Sequence, residues 1–189
     1  MRAIAQTGLH YSTDPYDRER CTRLLALATE GYGEALDLPE PDVRERLARD
    51  LGYVSAKVGT DAAIFDAAGR MLVVLRADDE KWGFISGWVD PGETPATTVV
   101  REVQEEVGLT VTEFDLVDAI GRRAGTEYGP HAVVSIVYLC TVAPGPVVIS
   151  HESLAAEYRD LESVPSDDWH ANHESLAHLA RDAWRARRP

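Results

Sequence analysis

The sequence contains little cysteine, few basic residues and no long apolar run. Its two cysteines, Cys21 and Cys140, are far apart and lack a CxxC or Cys/His spacing, so we expect free buried thiols and no disulfide or zinc site. Lysine and arginine total 19 residues against 32 acidic ones, which gives a net charge of -13. Such a chain lacks the basic face that binding to duplex nucleic acid requires, but it suits the binding of cations.

The apolar stretches argue against a membrane protein. The longest, AVVSIVYLCTV, is too short to span a bilayer, and the N-terminal MRAIAQTGLHYSTD has no apolar signal-peptide core. We therefore expect a cytoplasmic protein with no membrane partner. A hydrophobic fraction of 44% and a charged fraction of 27% are typical of a globular protein, and 189 residues suffice for one domain with an appendage.

The segment from residue 13 to residue 52 has the pattern of two helices. Asp14 can cap the first helix, with Pro15 in its first turn, and Gly31 is expected to end it. The second helix is expected over residues 41–51. Both are amphipathic and need a surface to cover, so we expect homodimerisation, with a lid over a site or packing onto the rest of the chain as alternatives.

Short β-like runs dominate the rest of the chain. TDAAIF and RMLVVLR, separated by residues 66–69, are expected to form a hairpin, and further strands are expected in VTEFDLVDAIGRR, HAVVSIVYLCTV and AAEYRDL. A closing helix is expected from Asn172 to Arg187. Strands flanked by helices without regular βαβ alternation predict an α+β sandwich over residues 57–189, preceded by a helical extension over residues 1–56.

The stretch GWVDPGETPATTVVREVQEEVGLT predicts one helix with well-marked ends. Thr94 is a suitable N-cap, Pro95 a suitable first helical residue and Gly108 a suitable residue just past the end. The helix is therefore expected over residues 95–107.

Three glutamates crowd one side of this helix in its second half. Glu102, Glu105 and Glu106 lie at i, i+3 and i+4, so their carboxylates repel one another and oppose the helix dipole. Oxygen ligands of this kind suit Mg²⁺ or Mn²⁺, which would cancel the local charge. Taken alone, the hexapeptide REVQEE is more often a solvated acidic face.

The glutamates belong to a longer pattern. A glycine, five residues, Glu, seven residues and then REUXEEXGU, with U an aliphatic residue, is the Nudix signature. The matching residues are Gly87, Glu93, Arg101, Glu102, Glu105, Glu106 and Gly108, with Val103 and Leu109 as aliphatic residues. The chain therefore resembles the Nudix hydrolases, which cleave nucleoside diphosphates linked to another moiety. The implied fold is an α/β/α sandwich with a mixed sheet.

The resemblance implies a metal site. Glu102, Glu105 and Glu106, with the carbonyl of Gly87, would hold Mg²⁺ or Mn²⁺ against the substrate diphosphate. The metal would lower the pKa of a bound water, which would attack phosphorus in line.

The remaining signature residues are implied to shape this site. Arg101 and Glu93 resemble the pair that braces the metal-binding arrangement, and Gly92 and Gly108 are expected to be structural. The signature is entered through FISGW, with Ile85 and Ser86 where the family commonly has Pro and Gly.

Two carboxylates are candidates for the general base. Glu102 lies within the signature, and Glu152, in SHESLAAEY, resembles the distal acidic residue that completes many such sites. Glu127 and Glu157 are weaker candidates. The alternative for Glu152 is an ordinary surface loop residue.

Aromatic residues outside the signature are candidates for binding a base. Trp82, Trp88 and Tyr128 lie near predicted strand ends or loops, with Trp88 the first choice, although large aromatic side chains more often serve packing. Three histidines, His170, His173 and His178, are expected to form a solvated face rather than a second metal site.

The N-terminal region extends the resemblance. AIAQTGLHYSTDPYDRERC, followed by two helices and a GY dipeptide, is similar to the extension of the CDP-choline and ADP-ribose pyrophosphatase-like subgroup. The expected function is therefore metal-dependent cleavage of the diphosphate in a nucleoside diphosphate derivative of this type. The alternative is a catalytically silent nucleotide sensor with the same fold, against which the intact acidic set argues.

Overall fold

The computed structural model of the chain describes residues 1–36, 39, 41, 43, 45, 55–123 and 132–187. It divides into an N-terminal unit, Met1–Ser55, and a C-terminal unit, Ala56–Pro189. Both cysteines are free thiols, with Cys140 buried and Cys21 partly exposed. No helix among the described residues combines the length and the apolar character needed to cross a membrane.

The described part of the N-terminal unit includes two packed helices, α1 (Arg2–Tyr11) and α2 (Pro15–Leu36). They approach closely at Gly8, where an added Cβ would lie 2.3 Å from Sγ of Cys21. The connection is closed by the Arg18 guanidinium, which donates to the carbonyls of Leu9 and Ser12 over 2.6 and 3.0 Å. A glycine at the crossing therefore allows the two helices to touch.

The structure corrects two expectations about this unit. The α2 helix begins at Pro15, as predicted, but it continues through Gly31 to Leu36, because an isolated glycine lowers helix stability without ending a helix. The α1 helix was not predicted, since its sequence lacks a helix-capping residue at its start. Most of the helix predicted over residues 41–51 lies outside the described residues.

The described residues of the C-terminal unit form seven strands and two long helices. The strands are β1 (Lys57–Ala63), β2 (Met71–Arg76), β3 (Trp82–Gly83), β4 (Ile85–Trp88), β5 (Val111–Arg122), β6 (Val133–Val142) and β7 (Ser153–Arg159). The helices are α3 (Pro95–Val107) and α4 (His173–Ala186), preceded by 3₁₀ turns at Leu161–Ser163 and Ser166–Asp168. The strands predicted for β5, β6 and β7 and the closing helix are thereby confirmed.

The strands form two sheets. The four-stranded sheet has the order β4-β1-β6-β5, with β1 parallel to β6 and the other pairs antiparallel, and the three-stranded sheet has the antiparallel order β3-β2-β7. One apolar core includes Val99, Val103 and Val107 of α3, and a second includes Leu176 and Ala177 of α4. The predicted α/β/α sandwich with a mixed sheet is confirmed.

The hairpin expected from β1 and β2 is wrong in one respect. The turn exists, since Leu72 donates to the Ile64 carbonyl over 2.8 Å and Phe65 forms an isolated bridge with Met71. The two strands nevertheless belong to different sheets. A strand has only two edges, and β4 and β6 occupy both edges of β1.

Candidate active site

Helix α3 presents the acidic residues, and its ends are fixed as the sequence predicts. The Thr94 hydroxyl accepts a hydrogen bond from the Thr97 amide over 3.2 Å, and Pro95 occupies the first turn. Gly108 has a φ of 69°, a left-handed conformation that glycine adopts without a Cβ penalty. The helix therefore spans 95–107, and its buried valines set its rotation.

Two contacts join the acidic side of α3 to strand β4. The Ser86 amide donates to Oε1 of Glu106 over 2.8 Å. A Cβ added to Gly87 would lie 1.8 Å from Oε1 of Glu102, so the glycine leaves the space that this carboxylate fills. Because this contact uses the backbone amide of residue 86, serine supplies it as well as the glycine that the family commonly has there.

Arg101 holds three of the carboxylates together. Its Nε and Nη2 donate to the two oxygens of Glu93 over 2.9 and 3.0 Å, and the Thr98 hydroxyl donates to Oε2 of Glu93 over 2.7 Å. Its Nη1 donates to Glu102 over 2.8 Å and to Glu105 over 2.9 Å. The hydrogen bonds from Arg101, followed by that from Thr98, lower the pKa of Glu93 to about 2.

Glu106 is the least compensated of these acids. It is only 5% exposed, and burial is the main reason that its pKa rises to about 8, with the charges of Glu102 and Glu152 raising it further. Burial also raises the pKa of Glu102, against the opposing effect of Arg101. A cation beside Glu106 would remove this penalty, because opposite charge favours the ionised form of a carboxyl group.

A cavity of about 430 Å³ lies beside the acidic side of α3. Glu105 and Glu152 line it together with Glu102 and Glu106, and Trp88 lies at its rim with 52% of its surface exposed. The structure thus brings the sequence-predicted metal residues, Glu152 and one of the predicted aromatic residues to one cavity.

The donor set fits a hard divalent cation. Within the described ranges, no three His, Cys, Asp or Glu side chains are already arranged to hold a metal ion. Glu102 and Glu105 are instead turned towards Arg101. All the candidate ligands are oxygen atoms, which Mg²⁺ and Mn²⁺ favour. The Glu106 carboxylate is buried, and the missing side chain of Gly87 leaves room for the Glu102 carboxylate.

Several other predicted residues lie elsewhere. Trp82 is not part of the cavity lining. The Arg159 guanidinium packs over its ring, with Cζ of Arg159 4.5 Å from the ring centroid of Trp82. Glu157 also lies outside the lining, on β7. Glu127 and Tyr128 lie outside the described residues. Gly92 adopts a φ of 96° in the loop before α3, a conformation that favours glycine.

The histidine prediction is wrong for His173. His173 is 3% exposed and lines the cavity, because α4 packs against the second core and turns this residue towards β1. His170 also lines the cavity and bonds Asp79 through Nδ1 over 2.6 Å. His178 instead bonds Arg181 over 2.8 Å.

Sequence reasoning missed the polar residues at the far end of the cavity. Asp61, Arg76, Arg122 and Ser135 all line it. The local signal was an aspartate in the predicted strand TDAAIF, directly before its apolar residues, since charged residues are rarely buried without a reason.

Comparison with known proteins decides the family. Residues 56–179 match the model of the NUDIX domain, and residues 1–46 match a domain described as UDP-X-like, N-terminal oligomerisation domain. The chain belongs to the Nudix hydrolase family.

Individual Nudix relatives agree with this assignment. A Bacillus subtilis protein provisionally named an ADP-ribose pyrophosphatase is 34% identical over 146 residues, which cover 77% of this chain and 70% of the relative. The mouse protein named nucleoside diphosphate-linked moiety X motif 6 is 32% identical over 60% of this chain, but the match spans only 37% of that longer protein. The crystal structure of a UDP-X diphosphatase superposes with a TM-score of 0.65 at 22% identity, covering 100% of this chain and 92% of the other, which shows a shared fold.

The contact between Gly87 and Glu102 gives a test of the Nudix site. Gly87→Ala should displace the Glu102 carboxylate and weaken Mn²⁺ binding by about 10-fold or more, because misplaced ligands and ligand supports cost this much affinity. The melting temperature should change little, since a flexible side chain can move aside. Mn²⁺ affinity is measured by electron paramagnetic resonance of the free ion.

The matched control is Gly121→Ala, because a Cβ added there meets nothing within 4 Å. This variant should bind Mn²⁺ like the wild type. Unchanged Mn²⁺ affinity in Gly87→Ala would show that the Glu102 carboxylate is not part of a metal site.

Proposed function

We propose that this chain is a divalent-metal-dependent hydrolase that cleaves the diphosphate of a nucleoside diphosphate derivative of the ADP-ribose or CDP-choline type. The observation that carries the proposal is the buried Glu106 carboxylate, which faces a solvent-connected cavity beside three further glutamates. The names of the relatives support a diphosphate substrate. Free cysteines are compatible with a reducing cytoplasm as its location.

The residues that would hold Mg²⁺ or Mn²⁺ are Glu102, Glu105, Glu106 and the Gly87 carbonyl. When bound, such a metal neutralises diphosphate oxygens and lowers the pKa of a water to generate a nucleophile. Glu106 is held for this role by the Ser86 amide, and its burial limits its motion.

Arg101 acts as a positioning residue. Glu93 and Thr98 fix one side of its guanidinium, so Nη1 is directed at Glu102 and Glu105. These contacts hold two mutually repelling carboxylates on the same side of α3. Arg101 thus sets where the charges lie and need not touch substrate.

Glu152 is the proposed acceptor of the water's proton. It is exposed, lines the cavity from the loop before β7, and lies close enough to influence the charges of Glu102 and Glu106. Glu102, the other candidate, is already engaged by Arg101 over 2.8 Å. Trp88 is the proposed stacking surface for a base, because its exposed ring lies at the cavity rim.

Removing the charge of one proposed metal ligand should strongly lower kcat. Glu105→Gln and Glu106→Gln should each lower kcat by at least about 100-fold while circular dichroism stays unchanged, because each removes a metal ligand rather than a packing group. The matched control is Glu157→Gln, a carboxylate of the same unit outside the cavity lining, which should keep normal kcat.

The substrate for this measurement comes from a phosphate-release screen over nucleotide sugars, dinucleotides and CDP-alcohols, with and without Mg²⁺. Near-normal kcat in both variants would contradict the assignment. Binding of a nucleotide without hydrolysis of any compound would favour the catalytically silent sensor.

We also propose that the N-terminal unit forms a homodimer. The matched family model is described as an oligomerisation domain, and α1 and α2 expose large apolar side chains, with Ile4 69% and Leu27 60% exposed. Exposed apolar groups on packed helices are typical of surfaces that a partner covers.

Full-length protein should therefore have the mass of a dimer by light scattering, and Ile4→Glu combined with Leu27→Glu should shift it to a monomer. Leu154→Glu is the control, because Leu154 is 54% exposed in the C-terminal unit. A monomeric wild type would rule out the dimer.

A further inference from the structure

The far end of the cavity contains a second group of buried polar side chains on the other face of the sheet. Neighbouring residues of β1 point to opposite faces, so Thr60 lies on the side of α3 while Gly59 and Asp61 lie on the side of α4. Ser135 pairs with Gly59 and Arg122 pairs with Val133, which places both side chains near Asp61. All of these residues line the cavity.

Asp61 has an unused acceptor. Its residue is 3% exposed, and its Oδ2 meets no hydrogen-bond donor among the described residues. Burial raises the pKa of Asp61, and Arg122, Ser135, His170 and Arg76 offset only part of that rise. A buried acceptor left without a donor costs free energy, so an acceptor that lines a cavity indicates a ligand that supplies one.

His173 cannot neutralise this carboxylate. Its Nδ1 accepts the Phe84 amide proton over 3.1 Å, so Nε2 carries the ring hydrogen, and it lies 3.9 Å from Oδ1 of Asp61. Complete burial holds the pKa of His173 well below its usual value, and the ring stays neutral. The end of the cavity therefore presents the Asp61 acceptor beside the Nε2–H donor of His173, with Arg76 and Arg122 in the same lining.

This combination matches a pair of neighbouring hydroxyl groups. One hydroxyl can donate to Oδ2 of Asp61 while the other accepts from Nε2–H of His173, as carboxylates do when they bind ribose hydroxyls in dinucleotide-binding folds. An ionised phosphate has no hydrogen to donate to Oδ2, and an apolar group would likewise leave Oδ2 without a donor.

The position of Trp88 agrees with a sugar at Asp61. Trp88 pairs with Gly59, so its side chain shares the face of Asp61, and its ring covers the space at Gly59. Asp61 follows Gly59 by two residues, a distance of about 7 Å along a strand. A base on Trp88 would therefore have its ribose within reach of Asp61.

We propose that Asp61 and His173 bind a vicinal diol of the substrate, either on the nucleoside ribose or on a second sugar, with the Ser135 hydroxyl directed at the Asp61 carboxyl group. This inference rests on the proposed function for the identity of the substrate, although the subsite is defined by its own residues. Asp61 is a specificity-determining residue in this account.

The test compares ADP-ribose with two analogues, one lacking the 2′-hydroxyl of the adenosine ribose and one lacking the corresponding hydroxyl of the terminal ribose. Wild type should lose about 10-fold or more in kcat/KM for one analogue, because a hydrogen bond to a charged group is lost. Asp61→Ala should treat that analogue and ADP-ribose alike. The analogue that loses kcat/KM identifies which ribose is bound.

Asp61→Asn is the conservative variant to use if Asp61→Ala does not fold. It should also reduce the difference in kcat/KM between ADP-ribose and the analogue. Asp90→Asn removes a charge from another carboxylate of the cavity lining and should keep wild-type discrimination. If wild type does not hydrolyse ADP-ribose, the proposed function fails for this substrate, and the comparison is made on Kd by calorimetry in Mg²⁺. The subsite is overturned if Asp61→Ala still distinguishes ADP-ribose from the analogue, or if wild type does not distinguish them. It is also overturned if wild type does not bind ADP-ribose.

Discussion

Burial of the Glu106 carboxylate is the constraint on which the candidate site depends. Glu106 is 5% exposed, and the Ser86 amide of β4 donates to its Oε1 over 2.8 Å. The valines of α3 pack into one core and fix the helix rotation, so this acid cannot turn out to solvent. Packing energy thus maintains a charge arrangement that would be unfavourable by itself. A cation in the adjoining cavity would resolve the conflict between packing and charge.

Arg101 provides partial relief of the same conflict. It pairs with Glu93, Glu102 and Glu105, but it leaves Glu106 without a cationic side chain in hydrogen-bond contact among the described residues. The network therefore stabilises α3 but leaves the Glu106 carboxylate without a compensating positive charge. On the opposite face of the sheet, Asp61 presents a similar unused acceptor to the same cavity. Metal binding and sugar binding would use the two faces of one strand pair.

Local features of the chain were predictable from sequence because their causes are local. Thr94, Pro95 and Gly108 mark the ends of α3 through capping and backbone preferences, and the glutamate spacing places three acids on one side. Long-range pairing was not predictable in this way. The separation of β1 and β2 depends on β6, far along the chain, and the burial of His173 depends on how α4 packs against β1. Asp61 became a candidate only when Ser135 and Arg122 were placed beside it.

The most direct test of the account is thermal unfolding of wild type and Glu106→Gln, each in EDTA and in Mg²⁺, at a pH near 8. The folded-state pKa of Glu106, about 8, exceeds its ordinary value of 4.5, so without metal the stability falls as the pH rises between these values. In EDTA the variant should therefore melt a few degrees higher than wild type, as expected for about 1–2 kcal/mol in a chain of this size. Mg²⁺ should raise the midpoint of wild type and leave the variant nearly unchanged. A variant that melts no higher in EDTA, with no shift of wild type by Mg²⁺, would contradict the account.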